Sequence, residues 1–428
     1  MTVAGRSASE LYQRYLNLSP VAGVEPITVE RGRGAELWDV DGRRYLDCFA
    51  GISVVSTGHS HPRVVEAARE QMERFIHCGS LLYEVPVVGE LAARLAQVSP
   101  GALQKTFFSN SGAEAVEGAM RLARAFTGRT EFIALETGFH GRTNATLAVT
   151  GNRKRKQHGG PYLGGVAFAP APHLTRCRVC GGACTLRCAD AVEDVINYHT
   201  SGNVAAFIAE PVLGEAGIVV PHPDYFRRVK EILDRHGILL IVDEVQTGFG
   251  RTGRMFGIEH FGVEPDIMAM AKGIASGFPL GGFIARPEIA DAFQPGEHLS
   301  TFGGNPVSCA AAVATLDVIE DERLCENSAR LGQWLLAKLE TVAARQPAIA
   351  EVRGKGLMVG IELADRGGAT TAAQQAVQMR AACRERGLII GIGGFFGNVL
   401  RIQPPLVITE EQLGSAVATL DEALTATA

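Results

Sequence analysis

No run of residues in this chain is both long and apolar enough to cross a bilayer, which takes about 20 apolar residues, so a membrane-spanning protein is not expected. The first residues, MTVAGRSASELYQRYL, lack the apolar core of a secretory signal. The net charge is only −5 over 428 residues. Basic residues nowhere gather into a stripe, so nucleic acid is not an expected partner. The one basic run, Arg153-Lys154-Arg155-Lys156, is short and reads as a solvated loop. Internal repeats and linker-like tracts are also missing. Nine cysteines, an odd number in a chain without a secretory signal, point to mostly free thiols in a reducing, cytoplasmic compartment.

What is plentiful is glycine, with 50 residues placed without period between well-patterned apolar segments. That suits an enzyme with many tight strand-to-helix turns. The length fits a large domain plus a smaller one. Glu36–Asp47 reads as a hairpin turning at Asp41-Gly42. From His61, Val64, Val65, Ala68, Met72 and Phe75 recur at helical spacing. Short apolar runs at Lys105–Phe108, Glu131–Leu135, Val204–Ala209, Ile238–Val242 and Ile267–Ala271 then alternate with helical stretches such as Ala113–Phe126 and Tyr225–His236. Such alternation predicts an α/β fold with a mostly parallel, helix-covered sheet. Beyond Pro306 the texture changes. Two long helical runs reach about Ala344, followed by a strand-rich stretch at Val352–Leu363, a helix near Ala373–Arg386, and a last strand and helix. The expected division is 61–310 for the large domain. Residues 1–60 and 311–428 together form a small α+β domain.

The strongest local feature is ILLIVDEVQTGFGRTG, from Ile238 to Gly253. A buried apolar strand ends there in two adjacent carboxylates, Asp243 and Glu244. Ligands of open α/β sheets sit at the carboxyl ends of strands. An anion at that place can hold a proton on the pyridine nitrogen of pyridoxal phosphate, raising that nitrogen's pKa. The bland alternative is an aspartate capping a turn. The same stretch matches G-x-G-x-x-G at Gly248–Gly253, the dinucleotide fingerprint. It does not open directly from the strand, and no sustained helix follows, so a nicotinamide-dependent dehydrogenase stays a minor alternative. A second strand, Asp266–Ala271, delivers Lys272 into small residues. Burial lowers a lysine's pKa and makes it a nucleophile and base, whereas a lysine snorkelling from a strand end is the bland reading. Ser109–Glu114 follows a strand and opens a helix. That suits a phosphate on backbone N–H groups and equally a capping box. Phe139-His140-Gly141-Arg142-Thr143 places an aromatic ring where a planar ligand could stack.

Together these residues resemble the class III (omega) aminotransferases of the fold-type I pyridoxal-phosphate enzymes. The likeness runs from about Pro26 to the C-terminal helix through SGAEAVE, GFHGRT, AEPVLGEAG, DEVQTGFGRTG, MAKGIASGFPLGG, TFGGNP, RGKGLMVGIEL and RIQPPLVIT. It implies a large domain with a seven-stranded, mostly parallel sheet, and a homodimer with shared active sites that can pair into a tetramer. By the resemblance, Lys272 carries pyridoxal 5′-phosphate as a Schiff base and shuttles protons. Asp243 pairs with the ring nitrogen and Gln246 with the ring hydroxyl. Phe139 and Val245 hold the two ring faces. Ser111, Gly112 and Ala113 hold the phosphate, joined by Thr301 from the neighbouring subunit. Arg401 resembles the arginine that takes an α-carboxylate, and Glu215 the gate that neutralises it. Arg142 resembles the arginine for a distal carboxylate. Ile52 lines the pocket, and Glu210 helps fix its wall.

The implied reaction moves an amino group from an omega-amino acid of 4-aminobutyrate, β-alanine or acetylornithine type to 2-oxoglutarate, pyruvate or glyoxylate. RGKGLMVGIEL and LDCFAGISVVSTGHSHP look most like the alanine–glyoxylate type 2 and 4-aminobutyrate branches. A racemase, decarboxylase or aminomutase on the same fold, or a binding protein that no longer transaminates, are the other readings. One segment departs from the family pattern. Cys177, Cys180, Cys184 and Cys188 crowd one glycine-containing loop. Four such thiols can ligate zinc or an iron–sulfur cluster, although the spacing is not a standard one and free thiols are the alternative.

Overall fold

The structure, a computed structural model, describes residues 7–17, 25–365, 367 and 370–427. Residues 1–6, on which part of the N-terminal reading rests, lie outside the described residues. The centre of the molecule is a seven-stranded sheet. Its strands lie in the order Lys105–Ser109, Gly281–Ala285, Ile267–Met270, Leu239–Asp243, Val204–Ala209, Glu131–Leu135 and Val166–Ala169. Gly281–Ala285 runs antiparallel to both neighbours, and the remaining pairs are parallel.

Side chains of a strand alternate between faces. Phe132 and Ala134 therefore join one apolar cluster, while Ile133 and Leu135 join the other. Both faces are covered, which is why these strands read as unbroken apolar runs. One cover is the helix Gly112–Thr127, which buries Ala115, Val116, Ala119, Met120, Leu122 and Ala123 and ends at Gly128, φ +66°. The opposite cover includes the helix Tyr225–His236, burying Tyr225, Phe226, Val229, Ile232 and Leu233 and ending at Gly237, φ +59°. Both stops use the left-handed conformation that glycine adopts at no steric cost.

Two smaller sheets, each of four strands, complete the fold. The expected hairpin forms as Glu36–Asp39 and Arg44–Asp47, with Gly42 at φ +80°. Val29–Arg33 pairs on one side of it, and Leu388–Ile389 pairs in parallel with Leu46 and Asp47 on the other. A fully antiparallel sheet joins Ile349–Lys355, Met358–Leu363, Val399–Ile402 and Gly391–Gly393. The helix Pro306–Asp321 runs through the boundary expected near residue 310. Within the helix Pro62–Arg74, Val64 and Ala68 are buried, but Val65 and Met72 of the same expected stripe are exposed, as is Phe75 after it. No helix among the described residues is long and apolar enough to cross a membrane.

Candidate active site

The loops that follow the sheet's parallel strands converge on a cleft of about 510 Å³. Of the residues singled out from sequence, Ser111, Gly112, Ala113, Phe139, Arg142, Glu210, Asp243, Val245, Gln246 and Lys272 line it. This is the carboxyl-end position expected of a ligand site on such a sheet.

Asp243 forms the floor and is 3% exposed. Its Oδ1 accepts from the Val245 N–H at 3.0 Å, and its Oδ2 lies 2.7 Å from His140 Nδ1. A carboxylate only accepts, so Nδ1 carries the proton. His140 is itself pinned by its backbone N–H on Thr150 Oγ1 at 3.0 Å. The neighbouring Glu244 points away, as strand alternation dictates. It accepts from the Gly257 and Ile258 N–H groups at 2.9 and 2.7 Å and from the Thr247 hydroxyl, and burial pushes it up to about 7. The paired carboxylates thus divide into one that faces the cleft and one that closes a turn.

Ser111 caps the helix Gly112–Thr127, accepting from the Glu114 N–H at 3.3 Å. Glu114 does not close the expected box on Ser111. It takes the Asn110 N–H at 2.7 Å instead. The cradle is tight: a Cβ on Gly112 would meet Val245 Cγ1 at 2.8 Å, and one on Gly141 would meet Ala113 Cβ at 2.9 Å. Lys272 follows its strand at φ +48°, a strained angle for a residue with a side chain. Burial lowers its pKa, with Asp243, Glu210 and Glu215 pulling the other way.

Glu210, pushed up to about 7 by burial, clamps two walls by accepting from the Phe139 N–H at 2.9 Å and the Gly214 N–H at 2.8 Å. Gly214 has no room for a side chain. A Cβ there would lie 1.6 Å from Gln246 Oε1. Gln246 is buried, and its Nε2 has no hydrogen-bond partner among the described residues. Gly214→Ala is expected to displace this amide and weaken cofactor binding about tenfold, the worth of one net hydrogen bond of about 1.4 kcal/mol. Fluorescence titration of apoprotein checks this, and unchanged affinity would remove Gln246 from the site.

At the substrate side, Arg401 is 4% exposed on the strand Val399–Ile402. Its Nη1 meets Glu215 Oε1 at 3.3 Å, its Nη2 donates to the Ile392 carbonyl at 2.9 Å, and its Nε has no partner among the described residues. Burial pushes the Glu215 carboxyl up, but Arg401, Arg155 and Lys272 outweigh it and hold the group below the usual carboxylate range. Arg155 is a correction to the sequence reading. Its Nη2 pairs with Glu215 Oε2 at 3.0 Å, and its guanidinium sits 5.6 Å from the Phe139 ring centroid. The basic run is therefore not simply solvated. Arg155 carries no site role in the sequence reading, and His140 enters it only within the Phe139–Thr143 run, since each meets its partner only through the fold.

Ile52 and Thr301 do not line the cleft of their own chain, and both are exposed. Arg142 lies at the rim, exposed and without an ion pair among the described residues. The glycines of Gly248–Gly253 also lie outside the cleft. A Cβ on Gly250 would meet Leu406 at 2.8 Å, and one on Gly253 would meet Ala329 at 2.9 Å. They permit close packing and cradle no dinucleotide.

Residues 19–424 match the family model described as Aminotransferase class-III. The chain is 44% identical over 396 residues to the acetylornithine aminotransferase of Methanothermobacter thermautotrophicus, covering 92% of this chain and 93% of that one. It is 40% identical to the mitochondrial alanine–glyoxylate aminotransferase 2 homolog 2 of Arabidopsis thaliana, covering 93% and 82%. Among solved structures it resembles a thermostable (S)-enantioselective omega-transaminase from Thermomicrobium roseum, with a TM-score of 0.92 and 35% identity, covering 100% and 99%. The chain belongs to the class-III aminotransferase family and is a pyridoxal-phosphate-dependent transaminase that passes an amino group from a small donor to a keto acid acceptor.

Proposed function

We propose that the donor is a carboxylate-tailed omega-amino acid, acetylornithine-like in the first place and 4-aminobutyrate- or β-alanine-like otherwise. The acceptor in this reading is 2-oxoglutarate, pyruvate or glyoxylate. The observation that carries it is the Glu215–Arg401 pair, a buried cation whose carboxylate partner sits on a separate loop. The names of the relatives, several of them acetylornithine aminotransferases, support the order of preference.

The cleft fits pyridoxal phosphate. It offers a buried anion under a slot kept narrow by Gly112 and Val245, an unpartnered amide at its side, and a helix N-terminus for an anion. When bound, the cofactor supplies the electron sink that lets an amino group leave one carbon and join another. Asp243, oriented by His140, keeps the ring nitrogen protonated. Lys272 Nζ is the amine that would hold the cofactor covalently at rest and would carry the proton during the exchange. Gln246 Nε2 would donate to the ring hydroxyl, Phe139 and Val245 would bracket the ring, and the Gly112 and Ala113 N–H groups, with Ser111 beside them, would take the phosphate.

Thr301 serves the partner's site in a homodimer, alone or paired into a tetramer. Exposed apolar residues beside it support such a contact: Phe75, Ile76, Leu82, Leu299 and Phe302, with Phe302 5.3 Å from His77.

The two substrates differ at the reacting end. An omega-amino donor brings no carboxylate there, so Glu215 stays on Arg401 and Arg142 takes the tail. A keto acid brings one, displaces Glu215 and binds the guanidinium in two-point fashion. Glu215→Ala is expected to slow the omega-amino half-reaction about 10- to 100-fold more than the keto-acid half-reaction, because it leaves a buried charge unbalanced. Arg142→Ala should slow carboxylate-tailed donors and spare simple amines. Stopped-flow half-reactions check both. Equal slowing of all substrates would reduce the reading to a transaminase of unassigned substrate.

A further inference from the structure

Between the edge strand Val166–Ala169 and the helix Arg187–His199, the chain folds into a compact loop that the transaminase site does not use. Cys177 and Gly182 exchange backbone hydrogen bonds at 2.6 and 3.2 Å, closed by Gly181 at φ +75° and Gly182 at φ +150°. The Cys184 N–H donates to the Leu174 carbonyl at 2.8 Å and lays the second half of the loop beside the first. Leu186, at φ +68°, turns the chain into the helix, and Cys188 stands in its first turn.

The result is that the Sγ atoms of Cys177, Cys180, Cys184 and Cys188 all lie within 4.8 Å of one another. Cys184 and Cys188 are 3.5 Å apart, and the Thr185 N–H donates to Cys180 Sγ at 3.3 Å. Cys177, Cys184 and Cys188 are buried, with Cys180 partly exposed at the rim.

From this geometry we infer that the four cysteines hold one zinc ion in a closed, structural site. A tetrahedron with zinc–sulfur bonds of about 2.3 Å has sulfur–sulfur edges of about 3.8 Å, which this cluster reaches with small movements. An iron–sulfur cluster places its own irons and sulfides between the thiolates and needs a wider frame. The Thr185 N–H steadies the Cys180 sulfur, and the start of the helix brings Cys188 to the other three. The irregular C-x3-C-x3-C spacing is accommodated because two glycines shape the first half and helix entry supplies the last ligand.

The ion would fix a loop whose upstream residues brace the rest of the molecule. Arg176 Nη2 bonds Glu351 at 2.7 Å and Glu362 at 2.5 Å. Arg353 meets the same two carboxylates, each at 2.7 Å, and donates to the Gly217 carbonyl from Nη2 at 2.7 Å. Gly217 lies two residues from Glu215, so the loop buttresses the segment that carries the gate.

The test is metal analysis of the full-length protein purified without chelator. One zinc per chain is expected, with four fewer cysteines open to alkylation until denaturant with a chelator removes the ion. Cobalt exchange should give the intense near-ultraviolet bands of a tetrathiolate site. Cys180→Ser and Cys184→Ser should each lose the zinc. If either variant fails to fold, the metal content and cobalt spectrum of the unaltered protein still decide. Protein with less than about a tenth of an equivalent of metal would overturn the site, whether its loop cysteines are free or disulfide-bonded, as would iron with labile sulfide. None of these readouts depends on transaminase activity.

Discussion

Lys272→Ala is expected to retain cofactor in the cleft yet lose turnover by a factor of about 10⁴ or more. General acid–base catalysis alone is worth roughly 10²- to 10⁴-fold, and the variant also forfeits the covalent exchange. Cofactor should remain bound because the proposed contacts to its phosphate, ring faces and ring nitrogen come from other residues. The fold should tolerate the change. Position 272 already sits at φ +48° with a side chain, so alanine inherits the strain without adding to it. Removing a desolvated ammonium also removes a burial cost, set against the cation's pull on Asp243, Glu210 and Glu215. Circular dichroism and absorbance of bound cofactor establish the folded, loaded variant, and single-turnover kinetics measure the loss. A small exogenous amine should restore part of the rate, because it replaces the missing base. Transamination at the unaltered rate would sink the assignment.

Asp243→Asn should slow both half-reactions by roughly 10³- to 10⁴-fold, equivalent to about 4 to 5.5 kcal/mol of barrier. The substitution keeps the shape of the side chain and an oxygen for the Val245 N–H. What it removes is the negative charge proposed to hold the proton on the ring nitrogen. It also turns an amide toward His140 Nδ1, which in the native protein lies 2.7 Å from Oδ2. A cofactor analogue methylated on the ring nitrogen separates the two effects, since it carries the positive charge without a proton. Recovery with the analogue assigns the loss to the missing anion. No recovery assigns it to the disturbed histidine, and unchanged rates in the variant would show that another group holds the proton.

Much of this site was legible because its parts end apolar strands. Asp243 and Lys272 each close a run of buried residues, and the residues of Ser111–Ala113 open a helix directly after another. What stayed hidden depends on contacts distant in sequence. His140 meets Asp243 across 103 positions, and Arg155 meets Glu215 across 60. A polar residue's partner across such a span leaves no local pattern. The strands Val166–Ala169 and Gly281–Ala285 also escaped notice. The first is four residues long, and the second begins with two glycines, which carry no strand signal. The expected stripe of Val64, Val65, Ala68, Met72 and Phe75 was right for the helix and too wide for its buried face in one chain. Leu388 and Ile389, from the last part of the chain, pair with Leu46 and Asp47 of the first.

That pairing also sets a timetable for biosynthesis. Leu46 waits for a partner about 340 residues later in the chain. At a translation rate of roughly 5 to 20 residues per second, the wait is about 20 to 70 s. During it, the hairpin at Glu36–Asp47 stands with one edge open while the central sheet emerges behind it. An unpaired edge is a template for the wrong neighbour. Nascent chains are therefore most vulnerable to chaperone capture or to pairing with one another in that interval, which closes only when Leu388–Ile389 clears the ribosome.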